Sequence, residues 1–211
     1  MVNAADALNL AWAAFGRDKY AQSKREFRSI LTLPTLTAAD SQQARFGLGY
    51  ALAFSQQFEE AREIFASLGQ QAAAQNDPAF EHVALHQVGM VERMAGNWEA
   101  AQDCFQRERG MVARLGNADL AVAVNAYELG TVAQHLGQQA EAKAWLDLSL
   151  AHARRTTDLI AVGCAQRGLG DWYSAQGQAE QALSCWRAAQ TAFQAAGDDK
   201  AASDVERRLN S

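Results

Sequence analysis

Two histidines, His82 and His86, stand four residues apart in the string HVALH. That spacing puts two imidazoles on one helix face and suits a pair of metal ligands. The residue after the first histidine is Val83, not the glutamate that serves a zinc protease as base, and no third ligand follows at a matching spacing. The two are therefore read as a surface or groove pair, and no metal is expected. His135 and His152 have no partner by spacing. Cys104, Cys164 and Cys185 are odd in number, far apart and form no CxxC pair, which predicts buried free thiols in a reducing compartment. Glu92 stands at a repeat position that is usually apolar. A buried carboxylate needs a partner, and Arg93 or Arg45 is expected to supply it in a structural ion pair. No Walker loop or GxSxG string occurs, and the GLGD string at 168–171 belongs to a repeat. Neither a catalytic residue nor a cofactor is expected.

The composition says what kind of elements must position these side chains. The 211 residues include only two prolines, Pro34 and Pro78, while about a fifth are alanine. Alanine is the best helix former and proline the worst, so an all-α chain is predicted. Hydrophobic residues make up 49% and charged residues 20%, with a net charge of −5, the balance of a globular protein. Nineteen basic residues face 24 acidic ones and are scattered. The densest basic group, Lys24, Arg25 and Arg28, is interrupted by Glu26 and reads as a solvated helix face. Nucleic acid, which calls for a basic stripe, is not an expected partner. The opening MVNAADALNL has no positively charged leader and no long uncharged apolar run follows, so no membrane span and a cytoplasmic location are expected.

Internal periodicity organises the whole chain. The segments AGNWEAA (95–101), LGQQAEA (136–142) and QGQAEQA (176–182) align on Gly96, Gly137 and Gly177. SQQFEEA (55–61) fits with Gln56 at the turn, and GRDKYAQS (16–23) gives a first copy that lacks the glycine. Upstream small residues fall at Ala11, Gly49, Gly89, Gly130 and Gly170, separated by 38, 40, 41 and 40. Each follows an apolar residue: Leu10, Leu48, Val88, Leu129 or Leu169. A second small residue falls at Ser23, Ala61, Ala101, Ala142 and Ala182, and four residues later comes Phe27, Phe65, Phe105, Leu146 or Trp186. Each unit reads as helix, turn, helix, its small residues permitting close approach and its large ones filling the space beside them. No unit buries its apolar face alone, so the copies must stack. Start signals separate them: Thr37 with Asp40, Asp77–Pro78, Asn117 after Gly116, Thr157 before Asp158, and Asp198 after Gly197. The expectation is one domain over 1–211, with repeats at about 4–36, 37–76, 77–116, 117–157 and 158–197. A polar capping helix at 198–209 carries Asp199, Lys200, Glu206 and Arg207.

These residues resemble the tetratricopeptide repeat. The likeness rests on Leu48-Gly49 with Phe58-Glu59-Glu60-Ala61 and Phe65, Val88-Gly89 with Gly96-Asn97-Trp98-Glu99, Ala101 and Phe105, Leu129-Gly130 with Gly137 and Ala142, and Leu169-Gly170 with Tyr173, Gly177 and Ala182. The unit of about 40 residues, longer than the common 34, is similar to the repeats of kinesin light chain and of bacterial maltose-type activator sensors. The turn aromatic is replaced by Gln139 and Ala179 in the last two copies. The resemblance implies a right-handed α-α superhelix of five helix pairs, with a concave groove lined by the first helix of each pair.

Positions three before, one after and four after each small residue form one helical stripe, taken as the groove lining. They are Leu8, Trp12 and Phe15, then Phe46, Tyr50 and Ala53 with Phe54 beside them, then His86, Met90 and Arg93. The fourth and fifth copies add Tyr127, Thr131 and Gln134, and Arg167, Asp171 and Ser174. The stripe is aromatic at its start and polar at its end. An aromatic groove suits an amphipathic helix or apolar peptide; the alternative is that these aromatics are plain core. Some tetratricopeptide domains clamp the acidic tail of heat-shock chaperones with Lys, Asn and Arg side chains. Of the matching positions, Leu8, Trp12, Gly47, Val83 and Gln87, none carries the needed charge or amide except Gln87. The expected function is a non-catalytic interaction module for another protein, a peptide or a second copy of the chain. The alternative is a ligand- or peptide-sensing regulatory subunit that acts through a partner.

Overall fold

A computed structural model describes residues 3–116 and 118–210. Among these residues there are eleven α-helices and no strand, and helix accounts for more than three quarters of them. The chain divides into two compact units, one through Cys104 and one from Phe105. The first holds α1 (Ala4–Phe15), α2 (Tyr20–Ile30), α3 (Ala38–Phe54), α4 (Phe58–Ala74), α5 (Pro78–Ala95) and the opening of α6 (Trp98–Val112). The second holds the rest of α6 with α7 (Asp119–His135), α8 (Gln139–Ala153), α9 (Leu159–Ala175), α10 (Ala179–Ala196) and α11 (Asp199–Leu209).

Short polar side chains set where five of the helices begin. Asn3, Thr37, Asp77, Asp158 and Asp198 each accept a hydrogen bond from a backbone N–H two or three residues on, satisfying a donor that the helix leaves unpaired. Pro78 follows Asp77 at the first helical position, where its missing N–H costs nothing. The signal expected at Asn117 lies outside the described residues, and Ala118, which precedes α7, makes no side-chain cap.

The turns inside the pairs are alike. In each, one residue has left-handed backbone: Asp18 (φ 58°), Gln56 (φ 62°), Gly96 (φ 81°), Gly137 (φ 75°) and Gly177 (φ 72°). The next N–H reaches back five residues, as in Lys19 to the Ala14 carbonyl and Gln178 to the Tyr173 carbonyl, a helix stop that needs the left-handed step. The first copy thus makes the same turn without glycine, with Asp18 in its place.

The small and large residues of the repeat meet. A Cβ added to Gly49 would lie 2.6 Å from the Phe65 ring, one on Gly130 2.7 Å from Leu146, and one on Gly170 2.3 Å from Trp186. The residue two before plays the reciprocal part. A Cβ on Gly47 would lie 2.2 Å from Phe27, and one on Gly168 2.6 Å from Leu146. Helices α3 and α9 therefore each wedge a Gly-Leu-Gly string between their own second helix and that of the preceding pair. Leu48, Leu129 and Leu169 between these contacts are buried, whereas Leu10, in the same frame, is 64% exposed. Among the described residues no second helix packs against that side of α1.

Helix α11 begins 40 residues after α9, in the repeat's own register. Its Ala202 and Val205 join the buried cluster of Ala182, Trp186, Ala189 and Phe193. Asp199, Lys200, Glu206 and Arg207 stay exposed, so α11 covers the last pair and turns a polar side outward.

Candidate interaction surface

In the first unit the aromatic half of the expected stripe forms one connected cluster. Trp12 and Phe15 on α1 meet Tyr50 on α3 at ring-centre distances of 6.1 and 6.0 Å. Phe46 lies 5.2 Å from Tyr50, and Phe54 lies 5.3 Å from Phe15. These edge-on and tilted pairings are the preferred ones for aromatic rings. Trp12, Phe15, Phe46 and Tyr50 are half-buried and Phe54 is 44% exposed. Burial raises the pKa of the Tyr50 hydroxyl, so it stays protonated. The rings have a packed underside, against Phe27 and Phe65, and an accessible edge.

Leu8 and Ala53, expected on the stripe, belong instead to the buried core of this unit, each 3% exposed. Two aromatics outside the stripe join it. Tyr20 on α2 lies 5.4 Å from Phe15 and 5.6 Å from Phe54, and Phe80 on α5 lies 6.0 Å from Phe46. Tyr20 occupies the turn-aromatic position of its copy, the signal that would have found it. Phe46 and Phe80, with Ala39, Asp40, Gln42 and Gln43, line an open cavity of about 370 Å³.

The third-copy residues His86, Met90 and Arg93 are half-buried on α5, with the Arg93 guanidinium 3.7 Å from the Met90 sulfur. Among the described residues no group of three or more His, Cys, Asp or Glu is placed to hold a metal. Glu92 is buried and paired, but its partner is neither Arg93 nor Arg45. Arg62 of α4 donates to both its oxygens, and the Asn97 side chain donates at 2.7 Å. Arg45 instead reaches Ser67 and Gln71. Burial alone would raise the Glu92 carboxyl, but the bonds from Arg62 and Asn97 and the Arg62 charge outweigh it and hold it below the usual range. The partner comes from the preceding copy, a relation that spacing on α5 does not reveal.

In the second unit the polar half of the stripe is engaged within the chain. Arg167 of α9 donates to the Tyr127 hydroxyl of α7 at 2.9 Å and lies 3.6 Å from Asp204 of α11. Asp171 accepts from Arg208 of α11 at 2.8 Å and from the Trp186 indole at 2.9 Å. Arg208 also pairs with Asp204. Thr131 donates to the Tyr127 carbonyl of its own helix. Burial raises the Tyr127 hydroxyl and, separately, the Cys164 thiol, which argues against a reactive thiolate. Gln134 is half-buried and Ser174 exposed. His152, without a partner by spacing, has one in space: Asp119, 33 residues earlier, at 2.6 Å.

The tetratricopeptide repeat profile matches residues 80–155 and again 121–195, together more than half of the chain. This protein belongs to the tetratricopeptide repeat family. It is similar in fold to several solved structures at low identity. A thermophilic TPR protein of Thermus thermophilus is 18% identical with a TM-score of 0.67, over 99% of this chain and 97% of that one. The kinesin light chain TPR-like repeats of Podosopora anserina are 16% identical with a TM-score of 0.65, over 94% of this chain and 100% of that one. A Rap protein complexed with competence and sporulation factor is 16% identical with a TM-score of 0.69, over 98% of this chain and 62% of that one. No curated protein matches the sequence. Among the described residues no helix is long and apolar enough to cross a membrane.

Proposed function

We propose that this chain is a non-catalytic interaction module, and that an apolar or amphipathic helical segment of another protein seats on the aromatic surface of α1 and α3. The observation that supports this reading most is the connected ring cluster of Trp12, Phe15, Phe46, Tyr50 and Phe54, packed beneath and accessible at its edge. Aromatics fixed by one another lose little side-chain freedom on binding, and so make effective anchors. His86, Met90 and Arg93 extend the stripe onto α5. In the second unit, taken by itself, Tyr127, Thr131, Arg167 and Asp171 form a polar stripe, where a ligand would have to compete with Asp204 and Arg208. The free thiols of Cys164 and Cys185 agree with a cytoplasmic setting.

The test is quantitative affinity capture from the native cell, with the wild type set against Phe54→Glu and Phe54→Ala. Phe54 is exposed enough that its replacement leaves the fold intact. Loss of about tenfold or more of a specific partner, with an unchanged melting temperature, supports the surface; anchors of this type each carry about 2 kcal/mol. An identical set of captured proteins from wild type and variants would refute it. The sensor reading draws on the cavity beside Phe46 and Phe80 and on the likeness to a Rap protein seen with a bound factor. A small ligand that raises the melting temperature of the wild type but not of Phe46→Ala would favour it.

A further inference from the structure

We infer that the outward side of α1 and α2 is a self-complementary surface on which a second copy of this chain docks about a twofold axis. Leu10 is 64% exposed, the largest exposure among the exposed large hydrophobic residues described. It stands at a pocket of about 210 Å³ formed with Ala7, Ile30, Leu33, Ser29 and Glu26. In α3 and α9 the corresponding side receives the second helix of the preceding pair, with Phe27 against Gly47 and Leu146 against Gly168. Among the described residues no helix packs on the corresponding side of the first pair.

The pocket is not uniformly apolar. Gln22 satisfies one Glu26 oxygen at 2.7 Å. The other, Oε2, is shielded from solvent and accepts no hydrogen bond, a state that calls for a donor from the occupant. Helix α1 carries no lysine or arginine, while Arg25 is exposed and stands four residues before the pocket residue Ser29, hence on the same helix face. The surface thus presents a protruding leucine, a leucine-sized pocket, a carboxylate in need of a donor and a guanidinium. An isologous contact requires such paired features, because each is used twice. Joining therefore closes at two copies and does not propagate.

The experiment is sedimentation velocity of the full chain over a concentration series. The wild type is expected to dimerise, and Leu10→Glu to raise the dimer dissociation constant at least about a hundredfold, because two leucines leave the contact, each contributing about tenfold or more. Arg25→Glu should also weaken the dimer, and the exchange R25E/E26R should restore it, which no unrelated occupant would produce. Phe54→Glu, on the aromatic surface, should leave the dimer unchanged. Circular dichroism confirms folding, and Ser29→Arg, at an exposed pocket position, serves as the second disrupting variant should Leu10→Glu fail to fold. A wild type that stays monomeric to millimolar concentration overturns the inference. So does a dimer that survives both Leu10→Glu and Ser29→Arg, one abolished by Phe54→Glu, or one that R25E/E26R does not restore.

Discussion

Adding one methyl group at Gly130 should destabilise the second unit, although alanine is the better helix former. The Cβ would sit 2.7 Å from Leu146 Cγ, 2.9 Å from its Cδ2 and 3.3 Å from the Ala142 carbonyl oxygen. Ordinary carbon contacts lie near 3.5–4.0 Å. Cγ is the branch point of a side chain with no exposed surface, so it cannot swing clear, and the carbonyl belongs to the backbone of α8. Overpacking of this kind costs about 1–3 kcal/mol, against about 1 kcal/mol gained from helix propensity. Gly110 provides the control. It is helical, in the same unit, and a Cβ there would meet nothing within 4 Å, so Gly110→Ala should gain up to about 1 kcal/mol. The difference between the two variants removes the propensity term and leaves overpacking, a melting gap of roughly 3–10 °C for a chain of this size. Leu146→Ala alone should cost about 2–5 kcal/mol, and in that background Gly130→Ala should become neutral or stabilising, because the methyl enters vacated space. Equal melting temperatures for Gly130→Ala and Gly110→Ala, or additive effects in the Leu146→Ala background, would refute the close approach of α7 and α8. The loop variant Gly116→Ala should be nearly silent, while Gly130→Leu should be the most damaging of the set.

Gln56 holds a left-handed backbone that costs a side-chain-bearing residue about 1–2 kcal/mol, so Gln56→Gly should stabilise the first unit by roughly 0.5–1 kcal/mol once glycine's extra unfolded freedom is subtracted; a lower melting temperature would contradict the turn geometry. The Glu92 carboxyl is held below its ordinary value of 4.5, so its pairing stabilises fully above that pH and fades as pH falls through the lower folded value. The lead of wild type over Glu92→Gln in thermal melts should therefore shrink below pH 4.5, and a constant lead would disprove the pairing. Tyr127→Phe should cost about 0.5–1.5 kcal/mol for the lost Arg167 bond and Tyr127→Ala about 3–5 kcal/mol, whereas Phe54→Ala should stay within about 0.5 kcal/mol of wild type. Denaturant melts that rank these three otherwise would reverse the assignment of core and surface.

What was legible from sequence alone is what recurs. Helix starts follow from single residues such as Asp77, Asp158 and Asp198, because capping is a local bond between a side chain and a backbone two or three positions on. The pairing of Gly49 with Phe65 and of Gly170 with Trp186 follows from register, because a repeat must meet its own second helix at a fixed offset. The turn at Asp18 was only half legible: its place in the frame was readable, but its left-handed backbone was not. Tertiary structure decided whatever depended on which neighbour was present. Leu10 and Leu48 share a frame, yet one is exposed and the other buried, since among the described residues α3 packs against the second helix of a preceding pair and α1 does not. Leu8 and Phe46 also share a frame, yet Leu8 lies in the core. Glu92 takes its cation from the preceding copy, His152 its carboxylate from 33 residues away, and Arg167 and Asp171 theirs from α11. Charges of opposite sign pair by distance in space, and a period of 40 residues sets which helices adjoin without fixing which long side chain reaches across.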